Sequence, residues 1–145
     1  MPSAERTVTI NRPAAEVFAF IADGEKGMSW RPGVLDISKV SGDGVGATYK
    51  QGVKGPMGFR IAADYEITAY EPNRNLEFKA IAGPVRPSGG YRLDESDGKT
   101  QVKFWLREEL SGLKKLIFGR SVQSSMDAEM AALDKLKTVL EAPTS

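Results

Sequence analysis

The chain has 145 residues, 41% apolar and 27% charged, with 20 Lys and Arg against 19 Asp and Glu for a net charge of +1. That composition suits one folded domain over residues 1–145 with a single core, and it offers no basic excess of the kind nucleic-acid binding needs. Histidine and cysteine are both absent, which removes disulfides, thiolate nucleophiles, the usual zinc ligands and any Ser-His-Asp triad.

The start, MPSAERTVTI, has no apolar run of signal-peptide length, and no stretch approaches the ~18 apolar residues of a membrane span. The location expected is therefore cytoplasmic. Val8 and Ile10 alternate with Thr7 and Thr9, the period of a half-buried strand. In NRPAAEVFAFIAD the period changes: Asn11 suits an N-cap, Pro13 a first helical turn, and Val17, Phe18 and Ile21 share one helical face. Gly24 and Gly27 break that helix in DGEKGMSWRPGV, which carries Trp30. Two readings of Trp30 stand: a wedge between the helical segments and the sheet rim, or a wall of a cavity entrance.

VLDISKVSGDGVGATYKQGV reads as a hairpin, with Leu35 and Ile37 on one arm and Tyr49 and Val53 on the other. Gly42, Gly44 and Gly46 lack the GxGxxG spacing and a following helix, so they mark a turn rather than a phosphate loop. FRIAADYEITAY reads as one strand, placing Phe59, Ile61, Ala63, Tyr65, Ile67 and Ala69 inward and Arg60, Asp64, Glu66 and Thr68 outward. LEFKA repeats the alternation with Leu76, Phe78 and Ala80, YRL with Tyr91 and Leu93, and Asp97-Gly98 turns the chain. TQVKFWLREEL then places Val102, Phe104 and Leu106 inward and Trp105 outward, the latter as surface packing or a contact patch. From about 113 to 140, Val122, Met126, Met130, Leu133, Leu136 and Leu140 recur at helical spacing. Lys114, Lys115 and Arg120 lie among apolar residues near its start; they read as solvated cations at the helix entry, with membrane-surface contact as the alternative.

An antiparallel sheet with one apolar face and a single long helix to cover it is an α+β arrangement in which the sheet must curve. Its inward aromatics, with Met126 and Met130, make either a filled core or a lined pocket. Tyr49, Tyr65 and Tyr91 bring hydroxyls that need partners if buried, and Gln51 shares the parity of Tyr49. Among acids, Glu108 alone follows the inward parity of Phe104 and Leu106, as a weak candidate general acid or base.

VTINRPAAEVFAFIAD, the W-x-x-G-V of Trp30, Gly33 and Val34, the G-x-G-V-G-A-x-Y of residues 42–49, ITAYEPNRNLEFKA, DGKTQVKFWLREEL and the long terminal helix occur together in this order. In that set the chain resembles the START-like superfamily (SRPBCC, Bet v 1-like), in its bacterial polyketide cyclase/dehydrase-type branch. The resemblance implies a helix-grip fold: a curved seven-stranded antiparallel sheet around the C-terminal helix, two short helices after the first strand, and an apolar cavity between. It also implies a lipid, polyketide or similar ligand, and it puts the segment of Trp30 near the cavity mouth. The lining expected is Trp30, Tyr49, Gln51, Phe59, Ile61, Tyr65, Phe78, Tyr91, Phe104, Leu106, Met126 and Met130. No metal or cofactor is expected. The leading expectation is a binding protein, monomeric or homodimeric, whose partner is a hydrophobic small molecule. The alternatives are a metal-free cyclase or dehydratase using Tyr65 or Glu108, and a protein-interaction module.

Overall fold

The computed structural model describes residues 3–55, 58–83, 86–108 and 112–142; along 112–125 it describes side chains only at 123 and 124. In chain order the elements are β1 (Ser3–Ile10), α1 (Ala14–Ala22), a 3-10 segment (Gly24–Ser29), β2 (Val34–Ser41), β3 (Thr48–Lys54), β4 (Arg60–Ala62), β5 (Tyr65–Glu71), β6 (Asn75–Ala80), β7 (Ser88–Ser96), β8 (Lys99–Arg107) and α2 (Gly112–Glu141). The strands pair antiparallel in the order β1-β8-β7-β6-β5-β3-β2, with β4 adding to β3. This seven-strand path curls around α2 as a helix-grip fold. Alternate residues along β7 and β8 supply Tyr91, Leu93, Val102, Phe104 and Leu106 to the core, and Met126, Met130, Leu133, Leu136 and Leu140 of α2 meet them. No helix among the described residues is long and apolar enough to cross a membrane. The side chains of Val122 and of the basic stretch 113–120 lie outside the described residues.

The turns follow their residues. Gly42, Gly44 and Gly46 all have positive φ, so the β2–β3 connection uses three glycines for backbone geometry. Asp97 and Gly98, both at positive φ, form the tight tip between β7 and β8.

Several local expectations are corrected. The cap of α1 is Pro13, in extended conformation, with no side-chain cap of its own. Glu95 of β7 instead accepts the Ala14 N–H at 2.7 Å, while the Asn11 N–H goes to Glu141. The long strand expected over residues 59–70 is two strands. Asp64 Oδ1 takes the Gln51 N–H at 3.1 Å, so the ladder on β3 is interrupted at residues 63–64 although its register continues into β5. Phe59 precedes β4 at the end of a tight turn and is 69% exposed, not inward. A register shift between Ile67 and Ala69 then inverts the parity. Tyr70, not Ala69, turns to the core side and meets Phe18 edge-on at 5.2 Å. A second shift after Val34 leaves Leu35 exposed while Val34 is buried.

The C-terminal end of α2 is tied to the junction of β1 and α1. Lys137 Nζ donates to Thr9 O at 2.6 Å and to Glu141 Oε2 at 2.7 Å, and the same carboxylate accepts the Asn11 N–H at 2.7 Å. Farther along β1, Arg6 pairs with Asp134 at 2.8 Å. The hydrogen bond from Lys137, then that from Asn11, holds the Glu141 carboxyl below its ordinary range. A carboxyl depressed in the folded state stabilises above its unfolded pKa and loses that contribution as pH falls through the folded one. Urea unfolding of Glu141→Gln across the acidic range is therefore expected to show a shallower loss of stability on acidification than the parent chain. An identical slope would remove Glu141 from the acid response.

Candidate functional site

The site is assembled on the segment that joins α1 to β2. The Asp23 side chain accepts the Glu25 N–H and starts the 3-10 turns. Gly27 O then accepts from both Trp30 N and Arg31 N, at 3.3 and 2.8 Å. This pins two consecutive residues that point to different partners. Pro32 and Gly33 follow, and Lys54 N–H bonds Gly33 O at 2.8 Å, fastening the segment to β3.

Trp30 turns inward and is 2% exposed, edge-on to Tyr91 at 6.3 Å. It belongs to the cluster of buried residues, which is compatible with both of its readings. Beneath it runs a ribbon of rings contributed by successive neighbouring strands. Tyr49 of β3 stacks on Tyr65 of β5 at 5.0 Å, and Tyr65 meets Phe78 of β6 at 5.7 Å. Phe78 lies 6.2 Å from Tyr91 of β7, which stacks on Phe104 of β8 at 4.5 Å. The ribbon follows from cross-strand pairing, since Tyr49 faces Tyr65 and Tyr91 faces Phe104 in register. Leu106, Met126 and Met130 are buried in the same cluster.

Gly24 packs so closely on this ribbon that a Cβ there would stand 2.2 Å from the Tyr65 hydroxyl and 2.8 Å from the Tyr49 ring. The Tyr49 hydroxyl is committed to the segment, donating to Ala22 O at 3.3 Å and accepting from Gly24 N at 3.4 Å. Among the described residues the hydroxyls of Tyr65 and Tyr91 have no hydrogen-bond partner. Burial pushes both phenols up, against the opposing pull of Arg31, so they remain protonated donors.

Arg31 is the feature that sequence reasoning missed. Its Nε donates to Glu129 Oε2 at 2.8 Å, its Nη2 to Oε1 at 3.1 Å, and its Nη1 to Gln51 Oε1 at 2.9 Å. The Gln51 amide completes the chain by donating to Ala63 O at 3.1 Å. Burial works against the guanidinium charge, but Glu129, by charge and by hydrogen bonding, more than offsets it and holds Arg31 above its ordinary range. One signal was present: Glu129 sits three residues after Met126 and four before Leu133, an acid on the apolar stripe of α2.

Other candidates fall elsewhere. Ile61 is half-buried and folds over Gly55, and Phe59 is on the surface. Glu108 is half-buried, just past the end of β8. Trp105 lies on the outer face beneath the Arg107 guanidinium at 4.6 Å, in an open groove of about 450 Å³ between Glu5, Glu77 and Lys103. No group of three or more acids among the described residues is arranged to hold a metal ion.

A family model described as "Polyketide cyclase / dehydrase and lipid transport" matches residues 1–141. No curated protein matches the chain by sequence. Among solved structures, the chain is similar to TTHA0849 from Thermus thermophilus, with a TM-score of 0.82 at 18% identity over 99% of this chain and 100% of that one. It is also similar to the Zhui aromatase/cyclase from Streptomyces sp. R1128, with a TM-score of 0.74 at 17% identity over 96% and 93% of the two chains. A STAR-related lipid transfer protein from Xanthomonas axonopodis gives 0.75 at 14% identity over 97% and 86%. At these identities the likeness is one of fold.

The buried pair makes a separate prediction. Removing one partner leaves the other charged and desolvated, which costs about 3–5 kcal/mol, whereas replacing both by apolar side chains costs far less. Arg31→Met alone is expected to lower unfolding stability by about that amount, and Arg31→Met with Glu129→Leu to recover most of it. Equal losses in the single and double variants, measured in urea, would show that the pair is not coupled.

Proposed function

Because the chain belongs to the polyketide cyclase/dehydrase and lipid transport family, we propose that it binds a hydrophobic or amphipathic small molecule between the concave sheet face and α2. The observation that carries this reading is the aromatic ribbon from Tyr49 to Phe104, on which the hydroxyls of two tyrosines, Tyr65 and Tyr91, stand without a hydrogen-bond partner among the described residues. Hydroxyls left without protein partners on a face of rings are free to bond a ligand. Rings that offer an apolar surface with a few oriented donors are how small-molecule sites hold and align a ligand. Met126 and Met130 add adaptable apolar walls from the helix.

The same electrostatics favour binding over proton abstraction. A catalytic base needs a pKa near the working pH, and burial moves Tyr65 and Tyr91 upward, away from it. These phenols are suited to donate hydrogen bonds. Glu108, past the end of β8, is not a member of the ring ribbon. Of the lining residues expected from the sequence, Trp30, Tyr65, Phe78, Tyr91 and Phe104 are those we assign to the ligand. Tyr49 and Gln51 support the segment over it.

The uncharged fluorescent probe N-phenylnaphthylamine is expected to bind saturably at one site per chain and to be displaced by a mixed lipid extract. Native mass spectrometry of the chain after exposure to that extract should show retained small molecules. Linear, non-saturating fluorescence together with no retained mass would overturn the reading.

A further inference from the structure

The interior polar cluster is balanced in charge before any ligand enters. Glu129 engages Arg31 through two hydrogen bonds at 2.8 and 3.1 Å, and the two side chains are only 17% and 16% exposed. A guanidinium has five N–H donors, and Glu129 and Gln51 take three of them. Tyr91 packs edge-on at 6.3 Å against Trp30, the chain neighbour of Arg31, and is 6% exposed. Its hydroxyl has no partner among the described residues. The unfilled capacity of the cluster is thus the Tyr91 hydroxyl and two guanidinium N–H donors, with no net positive charge behind them.

This inventory discriminates among the polar ends a ligand could bring. A carboxylate would be desolvated beside Glu129, with the fork of Arg31 already occupied, so within this cluster its charge would find no free counter-ion among the described residues. An ammonium group would be desolvated beside Arg31, and the one carboxylate of the cluster is already engaged by that guanidinium. A carbonyl oxygen brings lone pairs without charge, and it accepts from the Tyr91 hydroxyl without needing a counter-ion. Burial of a polar group is tolerated where it is hydrogen-bonded, and an ionised one only where it is also paired.

We propose that Glu129 sets the charge of the ligand: by neutralising Arg31 it makes the interior select a molecule whose polar end is an uncharged carbonyl oxygen, received by the Tyr91 hydroxyl, over the matching carboxylate. The inference rests on the reading of the interior as a ligand site. Glu129 is a specificity-determining residue that acts through Arg31, and Tyr91 is the direct contact.

Three probes of nearly equal shape test it: ethylnaphthalene, acetylnaphthalene and naphthoate, substituted at the same ring carbon and titrated at neutral pH by calorimetry. For the parent chain the ketone is expected to bind about fivefold tighter than the hydrocarbon, the worth of one neutral hydrogen bond, and about tenfold or more tighter than the carboxylate. Tyr91→Phe should erase the lead of the ketone over the hydrocarbon. Glu129→Gln should invert the preference, so that naphthoate becomes the tightest ligand and raises the thermal midpoint of that variant, which it does not do for the parent. A purely structural Glu129 would not produce this gain. Should Glu129→Gln fail to fold, the Tyr91→Phe comparison decides. Naphthoate binding the parent as tightly as the ketone, or a ketone lead that survives Tyr91→Phe, overturns the inference and leaves the ligand site standing. No binding of any of the three overturns the ligand site itself.

Discussion

One helix has to serve a sheet much wider than itself. Seven strands spaced about 4.8 Å apart make a surface roughly 30 Å across, whereas a helix with its side chains is about 10 Å thick. Curvature narrows the gap but does not close it. The molecule answers with three other devices: α1 burying Val17, Phe18 and Ile21 at one end, the segment of Trp30 laid over the ribbon, and large rings on the strands themselves. Each reduces the uncovered apolar area without demanding a second long helix. A ligand that completes the cover continues the same logic.

That logic gives the buried ion pair a place in the fold as well as in the site. The segment from Gly24 to Gly33 has little apolar surface of its own to hold it down. Trp30 supplies one anchor and Arg31 the other, pointing from adjacent positions to the sheet and to α2. A buried pair of this kind adds little net stability compared with a well-packed apolar contact. Its value is directional: the bidentate geometry admits one orientation of the segment, where an apolar contact would accept several. The close approach of Gly24 to Tyr65 and Tyr49 requires that single orientation, because no side chain larger than hydrogen fits there.

Most of the architecture is legible in the sequence because the alternation of Val102, Phe104 and Leu106, or of Leu76 and Phe78, leaves one sheet face to be covered, and one helical stripe exists to cover it. What eludes that reading has local causes. Alternation assumes an unbroken ladder, and the shifts after Val34 and Ile67 break it, so parity assigns Leu35 and Ala69 to the wrong side. Asp64 counts as a surface acid by parity, yet its side chain replaces a ladder bond and splits a strand. Phe59 obeys the parity of a strand it does not belong to. Arg31 and Glu129 are nearly a hundred residues apart, and neither stands out until the fold brings them together. Aromatic and apolar members of the site announce themselves through periodicity; its charged members do not.

The position of β1 has a consequence for how the interior comes into being. β1 pairs only with β8, Ser3 lying opposite Arg107, and its other flank is taken by α2. On the ribosome this strand emerges well before its partner β8 and waits for the strands between them to be made. Closing a loop of about a hundred residues carries an entropic cost of about 4 kcal/mol, so the hairpins from β2 to β8 form the earlier, more local structure. The later step brings in the two outer elements together, α2 across the sheet and β1 along its edge. The concave face, rings included, therefore stays open to water until α2 has been made. The space between sheet and helix is the last part of this fold to close.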